Sequence, residues 1–212
     1  DVLALVMEYI EGVELKSLIN RGMAKEQVVS ILRPVAEALD YLHGEGIVHR
    51  DIKPANIKID QKGRPVILDF GIAKLEDDDG RRTKTGVGLG TIAYMAPEQY
   101  MDVKNVDHRA DIYALGMVLY ELLGGRLPWG VEDTDFAIMD KKRNMDLIPL
   151  EEITDGVPST VLEGVKSALS LNIEERPSSV IGFWRMLTGE NRSTQQVIHE
   201  TKSQKTEEEK QE

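Results

Sequence analysis

The sequence predicts a mainly α-helical domain carrying small β-hairpins. Three observations carry that expectation. Lys25 to His43 has amphipathic helical spacing; Asp107 to Gly124 is apolar on nearly every side; and two short β-like runs, Ile57 to Asp60 and Pro65 to Leu68, flank Gln61-Lys62-Gly63-Arg64. A length of 212 residues suits one domain with a sizeable core, plus extras.

Taken in order, residues 2 to 9 are rich in Val, Leu and Tyr and stop at Glu11-Gly12, the pattern of a strand running into a turn. A short helix from Glu14 to Asn20 follows. Along the next helix the polar residues Glu26, Ser30, Arg33, Glu37 and Asp40 share one face, while Val28, Ile31, Leu32, Val35, Leu39 and Leu42 point inward. Pro34 lies inside this pattern, where proline costs about 3 kcal/mol and favours a kink. Gly44 and Gly46 stop the helix. Gln61 to Arg64 then supplies hairpin turn chemistry. The segment from Gly71 to Ala96 is irregular, and loops of that length are functional or disordered. Helical patterns return over 107–124, 132–142, 158–171 and 177–188. From Gly189 the chain is charged, Gln-rich and poor in apolar residues, so the expected division is a domain over 1–188 and a disordered tail over 189–212.

Composition excludes several function classes. Twenty-six Lys and Arg against thirty-seven Asp and Glu leave a net charge of −11, which repels nucleic acid and anionic membrane surfaces. No cysteine is present, so disulfides, thiolate metal sites and cysteine nucleophiles are ruled out, and a reducing, cytoplasmic location is expected. The longest apolar stretch, Ile112 to Leu123, is interrupted by Glu121 and falls short of the ~20 residues of a membrane span.

Chemistry concentrates in two places. His49-Arg50-Asp51-Ile52-Lys53-Pro54-Ala55-Asn56 precedes the hairpin, and Asp69-Phe70-Gly71 ends it. Two acids, a lysine and an amide converge there, a set suited to phosphoryl transfer: a carboxylate to orient a hydroxyl, oxygen ligands for Mg²⁺, and a cation for the moving charge. Alone, Asp51 or Asp69 is an ordinary loop carboxylate; their joint order is what counts.

In these motifs the chain resembles the eukaryotic-type Ser/Thr protein kinase family, from about Val2 to Leu187. The resemblance implies a protein kinase-like fold and roles for individual residues. Asp51 would accept the substrate hydroxyl proton, Lys53 would contact the transferring phosphate, and Asn56 and Asp69 would hold the metal. Thr91, in Gly90-Thr91-Ile92-Ala93-Tyr94-Met95-Ala96-Pro97-Glu98, matches the substrate-docking segment. Met7 corresponds to the gatekeeper, the backbone of Glu8 and Ile10 to the hinge that meets adenine, and Glu14 to the ribose-binding position. Lys58 departs from the family's apolar floor beneath adenine, with its aliphatic stem as the substitute. Arg50 and Lys74 resemble the cations that receive a phosphorylated loop residue, here Thr83 or Thr85. ATP and Mg²⁺ are the implied cofactors, proteins phosphorylated on Ser or Thr the implied substrates, and a homodimer the implied arrangement for autophosphorylation.

Other residues resemble structural parts. His49 is expected to pack and hold the loop with Phe70, Asp111 to bond the catalytic-loop backbone, Glu98 and Arg176 to form a buried pair, and Pro128-Trp129 to pack. Gly86 to Gly90 lacks the spacing of a phosphate loop, and Glu76 to Asp79 lacks that of a calcium loop. Pro97-Glu98-Gln99 and Asp111 to Gly116 resemble bacterial members. The family's Gly-rich loop, strand lysine and helix glutamate are not among these residues, so the expectation is a hinge strand and C-terminal lobe with the N-terminal lobe absent, inactive alone. Three alternatives stand beside it. A pseudokinase or regulatory scaffold commonly loses one of the two acids that stand here. A small-molecule phosphotransferase would not combine Arg50, Lys53 and Ala96-Pro97-Glu98. A non-kinase hydrolase using paired carboxylates is third, separable by whether Asp51 and Asp69 matter for hydrolysis without ATP.

Overall fold

A computed structural model describes residues 8–19, 25–69, 92–101 and 106–190. The elements are β1 (Gly12–Glu14), α1 (Leu15–Ile19), α2 (Lys25–Gly44), β2 (Ile57–Asp60), β3 (Pro65–Ile67), α3 (Glu98–Met101), α4 (Arg109–Gly124), α5 (Asp135–Arg143), α6 (Ser159–Ala168) and α7 (Val180–Thr188). The helix-rich expectation with a small hairpin is met, and the sheet is three-stranded and antiparallel in the order β1-β2-β3.

The core follows from the apolar patterns. Every residue from Ala110 to Leu122 is buried, so α4 is an axle with no solvent face. Val28, Leu32, Val35 and Leu39 bring the apolar stripe of α2 into the same core, and Val165, Val180 and Phe183 close it from α6 and α7. Tyr113 and Tyr120 of α4 are among the largest fully buried side chains. None of the described helices is long and apolar enough to cross a membrane.

Several boundaries move, each for a local reason. Residues 8–11 are not strand, and Val2 to Met7 lie outside the described residues. The strand is instead β1, at the expected turn. All three of its residues are exposed, so it carries no alternation, and it exists by pairing Gly12 with Asp60, Val13 with Ile59 and Glu14 with Lys58. Gly12 permits that pairing, because a Cβ there would run into the Ile59 carbonyl. Helix α2 continues through Pro34, which sits on the exposed face where the carbonyl it leaves unbonded reaches water. α4 starts at Arg109, not Asp107, because the Asp107 Oδ1 accepts from the Arg109 N–H at 2.8 Å. Thr134 and Ser179 cap α5 and α7 by accepting from Ala137 and Gly182, which delays both starts relative to the apolar pattern. α6 stops at Ala168, three residues early, and α3 forms where the sequence suggested no helix. Most of the Gly71 to Ala96 segment and of the expected tail lies outside the described residues.

Candidate active site

Residues 48–53 have no regular structure and form the loop between α2 and the 3-10 turn Pro54–Asn56, held by one buried acid of α4. Asp111 is fully buried. Its Oδ2 accepts from the His49 N–H and its Oδ1 from the Arg50 N–H, each at 2.8 Å, while His43 Nε2 lies 2.8 Å from Oδ2. A carboxylate far from water is tolerable only when so supplied with donors. Arg50 has φ of 65°, a left-handed conformation rare for a side chain of this size, and the two N–H bonds around it fix that conformation. His49 is fully buried, with Nε2 3.0 Å from the Leu68 carbonyl, so its packing role is met at that contact, whereas Phe70 lies outside the described residues.

Three polar side chains then meet within the loop. Lys53 Nζ donates to Asp51 Oδ2 at 2.9 Å. Asn56 Nδ2 donates to the Asp51 carbonyl at 2.8 Å and to Asp51 Oδ2 at 3.0 Å. With its amide hydrogens turned to Asp51, Asn56 keeps Oδ1 as an acceptor that takes no hydrogen bond among the described residues. The hairpin returns the chain to this point: the Leu68 N–H donates to the Asn56 carbonyl at 2.8 Å. Asp69 follows immediately, exposed and with φ of 51°. An amide oxygen and a carboxylate at one end of a hairpin are hard oxygen donors, chemically suited to Mg²⁺ completed by phosphate oxygens. Among the described residues no group of three or more His, Asp or Glu forms a metal site of its own.

Ahead of α1, Glu8 and Glu14 are exposed and Ile10 is half-buried. The Lys58 ammonium is engaged within the chain: Nζ donates to the Ile10 carbonyl at 2.8 Å and stands 5.2 Å from the centre of the Tyr9 ring. The Ile10 carbonyl is therefore already bonded within the chain. Met7, Lys74, Thr83, Thr85 and Thr91 lie outside the described residues, as do Gly86 to Gly90 and Glu76 to Asp79.

A third cluster surrounds residues 92–98. Arg176 and Glu98 form the expected buried pair through two parallel bonds of 2.6 and 2.8 Å, with the Arg176 guanidinium 4.9 Å from the Tyr113 ring centre. Tyr94 donates its hydroxyl to the buried Glu121, which also pairs with Lys16 of α1; burial and the Glu121 charge push the Tyr94 phenol up. Sequence reasoning missed two residues here. Gln99 donates Nε2 to the Arg50 carbonyl at 2.9 Å and accepts from the Ala96 N–H at 2.8 Å, which joins the two segments. Lys142 donates to the carbonyls of Ile92 and Met95 at 2.8 and 2.7 Å, and burial holds its amine well below the usual lysine range. Lys142 sits in a Lys-Lys-Arg run that reads as a solvated face. The available signal was its position four residues after Ile138, on the buried side of α5.

A profile described as the protein kinase domain matches residues 1–199 of the chain. The serine/threonine-protein kinase Pkn1 of Myxococcus xanthus is 37% identical over 183 residues, 84% of this chain and 26% of the relative. PknL of Mycobacterium tuberculosis is 41% identical over 181 residues, 84% of this chain and 45% of the relative. PknB of Mycobacterium leprae is 36% identical over 174 residues, 81% of this chain and 28% of the relative. The chain spans less than half the length of each.

Proposed function

The chain belongs to the protein kinase domain family, and from that premise we propose that residues 49–56 and Asp69 form the phosphotransfer centre of a bacterial Ser/Thr protein kinase. The observation that carries the reading is the junction of Asp51, Lys53 and Asn56, in which one carboxylate oxygen receives both an ammonium and an amide. Asp51 is thereby oriented as a base for a Ser or Thr hydroxyl of a protein substrate. As the hydroxyl oxygen bonds to the γ-phosphorus of ATP and the bond to the β,γ-bridging oxygen breaks, the hydroxyl proton passes to the Asp51 carboxylate and ADP leaves with the bridging oxygen. Lys53, beside Asp51, offsets the negative charge of the phosphoryl group. Asn56 Oδ1 and Asp69 are the residues that would hold Mg²⁺, whose charge would screen the phosphates when bound. Glu8, Ile10 and Glu14 would meet the nucleoside, with the Lys58 ammonium shaping the hinge. The proposed organisation is a hinge and C-terminal lobe over 1–188 with a tail over 189–212, completed by a Gly-rich loop and an ATP-binding lysine from chain outside these residues.

Asp51→Asn in the full-length protein is the test. Asparagine keeps the shape and an oxygen acceptor for Lys53 but cannot take the proton. The expected result is a loss of about 10²–10⁴ in kcat, with thermal stability and the KM for ATP little changed. Phosphorylation of a protein substrate at the wild-type rate would overturn the proposal.

A further inference from the structure

We propose that Lys142, on α5, is a positioning residue that fixes the substrate-docking segment Ile92 to Met95. Its side chain extends from α5 into the core, and it is 1% exposed. One nitrogen reaches both ends of a four-residue segment, accepted by the Ile92 carbonyl at 2.8 Å and the Met95 carbonyl at 2.7 Å. Tyr113 and Trp129 wall the nitrogen from water, each with its ring centre 5.3 Å away. No carboxylate bonds it among the described residues, and the two carbonyls are its hydrogen-bond partners. An ordinary buried ion pair would need a carboxylate in this place; here the amine serves backbone carbonyls instead.

The geometry explains the choice of residue. Residues 92–94 form turns rather than helix or strand, so their carbonyls lack a ladder to satisfy them. Two N–H donors on a single tetrahedral nitrogen close that gap, and an amine supplies two whether or not it carries the third proton. The segment is held further on by Glu98 with Arg176 and from its side chain by Tyr94 with Glu121. Lys142 bonds the backbone at both ends of this segment. The segment's main-chain path, and with it the surface offered to a protein substrate, therefore depends on α5.

The experiment is Lys142→Met in the full-length protein, read two ways. Amide exchange at residues 92–95 should accelerate by about tenfold or more while that at 50–56 stays within twofold, a readout that needs no activity. In the kinetic arm, which rests on the phosphotransfer reading, the KM for a protein substrate should rise about tenfold with the KM for ATP unchanged. Lys142→Arg keeps N–H donors at the end of a long side chain and should bring both readouts back towards wild type. Equal acceleration in both segments, or none, overturns the inference, as does a Lys142→Arg protein as impaired as Lys142→Met. If Lys142→Met does not fold, Lys142→Arg decides: wild-type exchange at 92–95 supports the role and fast exchange there overturns it. A wild-type protein that phosphorylates nothing would count against the phosphotransfer reading while leaving the exchange result to judge Lys142.

Discussion

The proposed catalytic loop and the proposed docking segment are irregular stretches fastened to one helical framework from opposite ends of the peptide's hydrogen-bonding chemistry. At the loop, the buried anion Asp111 accepts from backbone N–H groups of His49 and Arg50. At the docking segment, the buried amine of Lys142 donates to backbone carbonyls of Ile92 and Met95. Backbone groups outside helices and strands must still be satisfied when buried, and a charged side chain is the strongest single partner available for either kind. Gln99 joins the two regions, touching Arg50 with one end of its amide and Ala96 with the other. Irregular geometry at a site thus depends on buried polar side chains placed elsewhere in the sequence.

The comparison breaks most severely at the docking side. Arg176→Met would leave Glu98, 7% exposed, as an unpaired buried carboxylate. Breaking one member of such a pair costs about 3–5 kcal/mol, a drop of roughly 10 °C in Tm. Arg176 also donates to the Ser170 carbonyl at 2.9 Å, which puts the loss at the upper end of that range. Thermal denaturation of Arg176→Met, Glu98→Gln and the double variant checks this. The double should lose less than the sum of the singles, because neither partner is then stranded.

Asp111→Asn sharpens the contrast at a smaller cost. Its amide can still accept from one of the two loop N–H groups but turns its own hydrogens towards the other, which costs about 1–3 kcal/mol. Amide exchange should quicken at 49–51 and stay unchanged at 92–95, the converse of Lys142→Met. Equal changes in both segments would show that the loop and docking segment are one unit rather than two separately anchored ones.

What the sequence disclosed follows the same division. Asp51, Lys53 and Asn56 were legible because they lie within six residues of one another, and Asp69 because hairpin chemistry returned it to Asn56. Asp111, Glu98 and Arg176 were legible through resemblance, and their contacts match it. Lys142 was not, since its partners are carbonyls 50 and 47 residues away and a carbonyl has no letter in the sequence. Lys58 was read as a hydrophobic stem for the same reason: its partner is the Ile10 carbonyl. β1 escaped because a strand exposed at every residue has no periodicity, and α2 runs on through Pro34 because burial of a whole apolar stripe outweighs one missing bond on the exposed side.

The mildest expected effect lies where α4 begins. Burial pushes the Asp107 carboxyl up, but hydrogen bonds from the Arg109 side chain and N–H outweigh it and leave the group below its ordinary 3.8. A carboxyl with a depressed folded-state value stabilises the fold above its unfolded value, and that stability is lost as the pH falls through the folded one. The loss belongs below pH 3.8, on the acid side. Asp107 is 40% exposed, so solvent and salt screening hold the contribution to about 1 kcal/mol or less. Asp107→Asn should therefore unfold slightly earlier than wild type near neutrality and converge with it in strong acid, where both carry an uncharged group. Added salt should narrow the gap at neutral pH. A gap that persisted unchanged into acid would assign the effect to the hydrogens of the new amide beside the Arg109 guanidinium, and not to the charge, because asparagine keeps the Oδ1 that accepts from the Arg109 N–H.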